Sequence, residues 1–254
     1  MKVCIAGCGN AAWHFVRLLR RAGHDVPVAW GRNSDKLRAF CQANNLRAIP
    51  SPADSGCDVV VLAVSDDAVP TVAAMVPEGP LVVHVSGSLP GDILPQAHSG
   101  VIWPMQSLTA GHTLDYSGVP FCVEGSEPGT ADTLRDMLTP LGCPVQVTTT
   151  AQRMQMHLAA VFACNFSNHL YRIAEHLSGE AGLPFELMHP LILHTARKIQ
   201  VMPPAMAQTG PARRKDTRTL MRHLELLRDE PELSNLYRIF TQLIQDRTTH
   251  DHQL

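Results

Sequence analysis

Aromatic residues are scarce, at 5% of 254 positions, which argues against a stacking platform for single-stranded nucleic acid. A basic excess is missing too. Lys and Arg number 21 against 23 Asp and Glu, a formal charge of -2, whereas phosphate-binding surfaces carry surplus cations. No apolar run approaches the ~18 residues that cross a bilayer. Residues 1–6 read as a strand running straight into a glycine turn, not as a signal peptide. The seven cysteines, at 4, 8, 41, 57, 122, 143 and 164, form no CxxC pair. Their odd number and scatter argue against a disulfide framework or zinc site and fit a reducing cytoplasm. Histidines number 13, but no HExxH or comparable ligand spacing occurs, although His189 and His194 lie five apart; no metal is expected. Nucleic acid and membrane are therefore not the expected partners; a small molecule is.

The composition, 45% hydrophobic and 17% charged, is that of a globular protein with room for one large or two modest domains. Short β-rich runs at 2–6, 26–30, 59–64, 81–85, 100–103, 120–124 and 144–148 alternate with helical patterns at 11–22 and 34–44. Alternation of this kind signals a parallel α/β sheet. Residues 59–64 are continuously apolar, as for a strand covered on both faces. Ser34 reads as the N-cap of the second helix and Gly23 as the stop of the first. After Thr150 the strands end. Helical patterns follow at 151–178, 184–199, 216–228 and 232–246, broken by Gly182-Leu183-Pro184, Pro203-Pro204 and Gly210-Pro211. The predicted fold is a doubly wound, mostly parallel Rossmann sheet over 1–150, followed by an all-helical domain over 151–254 whose tail from 250 frays.

The first strand runs into Gly7-Cys8-Gly9-Asn10-Ala11-Ala12 and then a helix. Gly7 allows the tight turn, Gly9 lets backbone approach a pyrophosphate, and Ala12 holds the helix against the sheet, with the helix N-terminus facing the anion. The second strand ends in Trp30-Gly31-Arg32-Asn33-Ser34. It lacks the carboxylate that an NAD ribose, or that of S-adenosylmethionine, usually requires. Arg32, assisted by Asn33, Ser34 and Lys36, suits a 2′-phosphate, so NADP(H) is the expected cofactor.

Several motifs in chain order resemble one family. They are Gly9-Asn10-Ala11-Ala12-Trp13-His14, Val64-Ser65-Asp66-Asp67-Ala68-Val69, Ser86-Gly87-Ser88-Leu89 and Pro120-Phe121-Cys122-Val123-Glu124-Gly125. Further along come His157-Leu158-Ala159-Ala160-Val161-Phe162-Ala163-Cys164-Asn165, Thr209-Gly210-Pro211-Ala212-Arg213-Arg214-Lys215-Asp216 and His223-Leu224. Together they resemble Rossmann-like proteins with a C-terminal helical domain of unknown function, often described as NADP oxidoreductases. More distantly the chain is similar to pyrroline-5-carboxylate reductase, prephenate dehydrogenase, ketopantoate reductase and deazaflavin-dependent NADP oxidoreductases. The resemblance implies a dinucleotide at the glycine loop, a helical domain closing over it, and a homodimer paired through those helices. By the same analogy, Ala63, Val64 and Ser65 border the adenosine ribose or pyrophosphate. Two departures stand out. Trp103-Pro104 occupies the place of a His-Pro, and Arg214-Lys215 stands where a glycine is expected before the aspartate.

Hydride transfer also needs a group to protonate or polarise the developing charge. At 100° per residue, His157, Val161, Cys164, Asn165 and Asn168 share a polar, uncharged helix face. This face suits a cleft wall, with His157 as proton donor and Asn165 orienting substrate. Leu158, Phe162, Phe166, Leu170 and Ile173 are the expected core face. Ser86, Gly87 and Ser88 end a strand where such folds bind ligands, and Ser88 is a candidate catalytic hydroxyl. Asp66 and Asp67 read as an N-cap for the following helix or, alternatively, as a carboxylate pair, and Asp216 reads as a helix N-cap. The basic run Arg213-Arg214-Lys215, with Arg218 and Arg222, reads as a solvated face or as an attractor of anions. Three readings stay open: an NADP(H)-dependent oxidoreductase acting on a small carbonyl or imine, anionic substrates included; a non-catalytic NADP(H) sensor; and a deazaflavin-dependent reductase, which differs only in its second cofactor.

Overall fold

The computed structural model describes the backbone of residues 1–250 and the side chains of residues 1–246. The tail beyond, with its expected fraying, lies outside the described residues. The chain divides into two compact units, Met1–Tyr171 and the residues from Arg172 onward. Among the described residues no helix is long and apolar enough to cross a membrane.

The first unit is built on β1 (Lys2–Ala6), β2 (Asp25–Trp30), β3 (Arg47–Ala48), β4 (Val59–Leu62), β5 (Leu81–His84), β6 (Ser99–Pro104), β7 (Phe121–Gly125) and β8 (Val145–Val147). They form one sheet in the order β3-β2-β1-β4-β5-β6-β7-β8. Every pairing is parallel except β6 with β7. The order reverses between β1 and β4, the crevice where doubly wound sheets hold ligands. All four residues of β4 are fully buried, in keeping with its unbroken apolar run. The two-residue β3 is an addition, too short to leave a periodic signal.

Helix α1 (Asn10–Arg21) buries Ala12, Phe15, Val16, Leu18 and Leu19, and Gly23 ends it at a φ of +85°. Helix α2 (Ser34–Asn44) differs from expectation in its cap. Asn33 caps it, its side-chain oxygen accepting from the Lys36 N–H, and Ser34 is the first helical residue. Helices α3 (Val69–Ala73) and α4 (Pro128–Leu138) complete the layers. Helix α5 (Thr150–Ala160) opens with a reciprocal Thr149–Gln152 capping box. It passes through a π-helical turn, Val161–Phe166, into α6 (Ser167–Glu180).

The π-turn and the packing of α5 correct one expectation. Leu158, Phe162, Phe166 and Leu170, the expected core face, are exposed. The side of α5 that packs inward is the one carrying Arg153 and His157. Its ion pair and ring contact, described below, set the rotation of the helix and turn the apolar ridge outward.

The second unit is wholly helical: the rest of α6, then α7 (His189–Lys198), α8 (Pro204–Ala207), α9 (Thr217–Leu226) and α10 (Pro231–His250). A 3-10 turn, Phe185–Met188, occupies what the sequence suggests as the start of α7. His176 meets Glu230 at 2.9 Å and His223 meets the Tyr237 hydroxyl at 2.8 Å. Asp216 caps α9 as expected, accepting from the Thr219 N–H at 3.1 Å. The preceding Lys215 has a φ of +52°. A residue with a Cβ therefore holds the left-handed conformation at the place where a glycine is expected.

Candidate functional site

The glycine loop is shaped by a close approach of two backbones. Gly7 has a φ of +137°, and a Cβ built there would stand 2.1 Å from the Ala63 carbonyl oxygen. Only glycine fits. Its N–H donates to the Trp30 carbonyl at 2.7 Å. At Gly9, directly before α1, an added Cβ meets nothing within 4 Å, so the amide end of the helix is open to an anion. Ala12 is fully buried behind it. Asn10 is engaged otherwise: its side-chain oxygen accepts from the Ala110 N–H at 3.1 Å, tying down the loop after β6.

Beside this loop, at the carboxyl ends of β2 and β4, lies a cavity of about 410 Å³ with Trp30, Arg32, Ser65, Asp67, Thr71 and Met75 on its walls. Among the described residues the Arg32 guanidinium makes no hydrogen bond or ion pair. It is exposed on the cavity wall. Asn33 and Ser34 flank it at the start of α2, with the Asn33 side chain already used as the cap.

The Ser86-Gly87-Ser88 loop after β5 is internally satisfied. The Ser86 hydroxyl accepts from the N–H groups of Ser88 and Leu89 at 3.1 and 3.2 Å, and donates to Asp66 at 3.0 Å. Ser88 donates its own hydroxyl to the same Asp66 oxygen. Asp66 thus braces this loop and does not cap a helix: it opens the 3-10 turn Asp66–Ala68, whose N-cap is Ser65, and α3 beyond it has Ala68 as N-cap. With its hydrogen committed, Ser88 offers a ligand only lone pairs. Beneath the loop His84 is fully buried. Its Nδ1 accepts from the Ser86 N–H at 3.2 Å, and its Nε2–H donates to the Pro90 carbonyl at 3.2 Å. Burial, then the nearby Arg153, pushes its pKa down to about 4.

Arg153 joins this loop to α5. Its side chain is 0% exposed. Nη2 and Nε donate to Glu124 Oε2 at 3.0 and 3.3 Å, while Nη1 donates to the carbonyls of Ser86 and Gly87 at 3.1 and 3.0 Å. The other Glu124 oxygen accepts from the Thr150 hydroxyl. One turn on, His157 meets Trp103 edge-on, ring centroids 5.6 Å apart. A Cβ on Gly87 would lie 2.5 Å from the His157 ring and 2.7 Å from the Trp103 ring. The absent side chain is what lets both rings reach the loop.

These rings border a second cavity, of about 310 Å³, with Met105, Gln106, Ser107, Val161, Cys164 and Asn165 around it. Four of the five residues of the predicted polar face, His157, Val161, Cys164 and Asn165, line it. Asn168 does not, and Ala160 takes part instead. A straight 100° projection cannot follow the π-turn. The loop that continues from this lining is anchored at Thr109 by His14, fully buried in α1. Its Nε2–H donates to the Thr109 carbonyl at 3.0 Å, and its Nδ1 accepts from the Tyr116 hydroxyl at 2.9 Å. Burial lowers its pKa. Among the described residues no three His, Cys, Asp or Glu side chains gather as metal ligands.

Sequence reasoning passed over Arg153, Glu124, His14 and His84. A signal existed for the first two: Arg153 is the sole charge between Asp136 and Arg172, and Glu124 ends an apolar strand. Lone charges in such settings are either solvated or paired, and here they are paired with each other.

Residues 2–87 match the family described as NADP oxidoreductase coenzyme F420-dependent, and residues 119–244 match a domain of unknown function, DUF2520. No curated protein matches the chain. A solved structure named as a putative NADP oxidoreductase from Bacteroides fragilis is 31% identical, covers 96% of this chain and 98% of its own, and superposes with a TM-score of 0.88. A protein from Thermotoga maritima is 21% identical over 98% of this chain and 99% of its own, TM-score 0.75. The 1-pyrroline-5-carboxylate reductase of Streptococcus pyogenes shares the fold at 14% identity, over 97% of this chain and 98% of its own, TM-score 0.66. With a glycine loop built for close backbone approach and these matches along its length, the chain belongs to the family that joins an NADP oxidoreductase domain to the DUF2520 domain.

Proposed function

We propose that the chain is an NADP(H)-dependent oxidoreductase that moves a hydride to or from a small carbonyl or imine. The observation that carries this reading is the unpartnered Arg32 guanidinium on the cavity wall beside the glycine loop. A 2′-phosphate there would receive charge-assisted hydrogen bonds from a planar donor fork. At the end of β2, where a ribose diol wants a carboxylate, the chain has Trp30-Gly31. Asp67 lies on the same cavity wall set, so both nucleotides belong in the test. Calorimetry should show NADPH binding at least about tenfold tighter than NADH, with Arg32→Ala erasing the preference. Failure of either nucleotide to associate at millimolar levels would overturn the reading.

When bound, the reduced nicotinamide supplies the hydride. In this reading His157 gives the proton, Asn165 orients the substrate by hydrogen bonding, and Ser88 accepts from a ligand N–H. Ala63, Val64, Ser65, Ser86 and Gly87 border the cofactor through their backbones. The domain over 1–150 holds the dinucleotide, and the helices from 151 onward serve substrate and pairing. A second reading, an NADP(H) sensor without turnover, draws on Trp103, which covers the His157 ring edge. Loss of reduced-nicotinamide absorbance with one class in a carbonyl and imine panel favours the enzyme; stable binding without turnover favours the sensor.

We further propose a homodimer paired through the helical unit. Leu187, Leu191 and Leu193, with Leu243 on α10, are each at least half exposed in the single chain, and covering them would bury a large apolar area. A monomer in light scattering at micromolar concentration would remove this proposal. The seven free cysteines support a reducing, cytoplasmic setting.

A further inference from the structure

We propose that the cavity at the end of β6 takes an uncharged carbonyl or imine compound, one that carries no carboxylate. The inference rests on the oxidoreductase reading and narrows its substrate class.

Apart from His157, the proposed proton donor, its lining carries no ionisable cation or carboxylate. Trp103, Met105, Leu108 and Val161 supply apolar surface, while Gln106, Ser107 and Asn165 supply hydrogen-bond donors and acceptors without charge. Among the described lining residues there is no Arg, Lys, Asp or Glu. One cation does sit close by, and it is turned away. Arg153 lies one helical turn before His157, yet all three of its guanidinium nitrogens are engaged by Glu124 and by the Ser86 and Gly87 carbonyls. Gly87 stands between the two regions. Its carbonyl accepts from Arg153, while the His157 and Trp103 rings crowd its Cα. A ligand carboxylate therefore meets rings and backbone before it meets the guanidinium. Recruiting Arg153 would strip Glu124 and leave two loop carbonyls unpaired.

A carboxylate moved from water to such a wall loses its hydration without gaining a permanent counter-charge, because the one group there that can carry a positive charge, His157, is the proton donor that turnover must discharge. A neutral carbonyl, imine or amide loses much less, and Asn165, Gln106 and Ser107 can return its hydrogen bonds. The cavity, at about 310 Å³, has room for a compact molecule of this kind.

The test uses the full chain and two matched probe pairs: methylpyrroline against pyrroline carboxylate, and ethyl pyruvate against pyruvate. Ligand-observed NMR titrations, with and without NADP⁺, give the dissociation constants. The neutral member of each pair should bind at least about tenfold tighter. Gln106→Arg, an exposed loop position on the cavity wall, should move both ratios toward the carboxylate by about tenfold. A carboxylate that binds as well as its neutral partner overturns the inference, as does failure of all four probes at millimolar levels. A ratio unmoved by Gln106→Arg overturns the assignment to this cavity. Absence of NADPH binding would sink the cofactor reading alone, because the ratio on the nucleotide-free chain still decides this one.

Discussion

In the sheet unit Val59, Val60, Val61 and Leu62 are wholly buried, whereas in the helical unit Leu187 and Leu191 are 61% and 60% exposed. Both stretches are rich in aliphatic residues, so composition does not separate them. The difference lies in what each element brings with it. A parallel strand reaches its neighbour only through a crossover, and those crossovers cover both faces of the sheet. The helical unit contains no strand among its described residues. Among its described residues the buried side chains are Ser178, Ala212 and Leu227. One unit closes its own core, and the other leaves most of its apolar side chains at least partly exposed in the single chain.

The sharpest way to break this comparison is a matched pair of truncations. Phe15→Ala, in the closed core, should cost about 3–5 kcal/mol in urea unfolding at every protein concentration. Leu191→Ala should cost less than about 0.5 kcal/mol in dilute protein. It should cost more as concentration rises, if copies pair through that face. Equal costs at all concentrations would mean that the two units do not differ in this way.

Next in size is the buried ion pair. Arg153→Met should destabilise the sheet unit by roughly 3 kcal/mol, because Glu124 is left largely buried without its partner. Glu124→Leu added to it should recover much of that loss. A double variant no better than the single one would show that Arg153 acts by packing alone.

Acid should also distinguish the units, since His84 and His14 are both buried in the first. His84 has a folded pKa of about 4 against an ordinary value of 6.5, so the unfolded chain takes up its proton first. The associated stability, about 3 kcal/mol, is complete above pH 6.5 and drains away as pH falls toward 4. Unfolding midpoints across that window should fall in the wild type and flatten in His84→Gln. A flat wild-type profile would contradict the burial argument.

The smallest effect belongs to the helical unit. Lys215→Gly should raise stability by about 0.5–1 kcal/mol, as relief of the left-handed strain outweighs the entropy that glycine adds to the unfolded chain. A loss of stability would mean that the Lys215 side chain makes up for its backbone.

Much of the cofactor end was legible in advance because its causes are local. Gly7 needs its conformation for a turn within a few residues, and the apolar run of β4 declares burial without knowledge of its neighbours. The far cavity was legible only in part. The polar face of α5 pointed to His157, Val161, Cys164 and Asn165, but Asn168, beyond the π-turn, does not line the cavity, and Ala160, ahead of it, does. The outward turn of Leu158 and Phe162 went unforeseen, because hydrophobic periodicity says which residues share a face and not where that face points. Asp66 was misread for a similar reason. A cap is a local role, whereas bracing Ser86 and Ser88 spans 20 and 22 residues.

The amino-acid sequence alone determined the α/β order, the glycine loop and the presence of a guanidinium after the second strand. Each depends on contacts within a turn or on the period of a single element. Tertiary structure alone decided that Arg153 pairs with Glu124, that Gly87 admits two aromatic rings, and that Arg32 has no partner among the described residues. Those outcomes depend on which distant groups meet, and electrostatic and steric fit act through space, not along the chain.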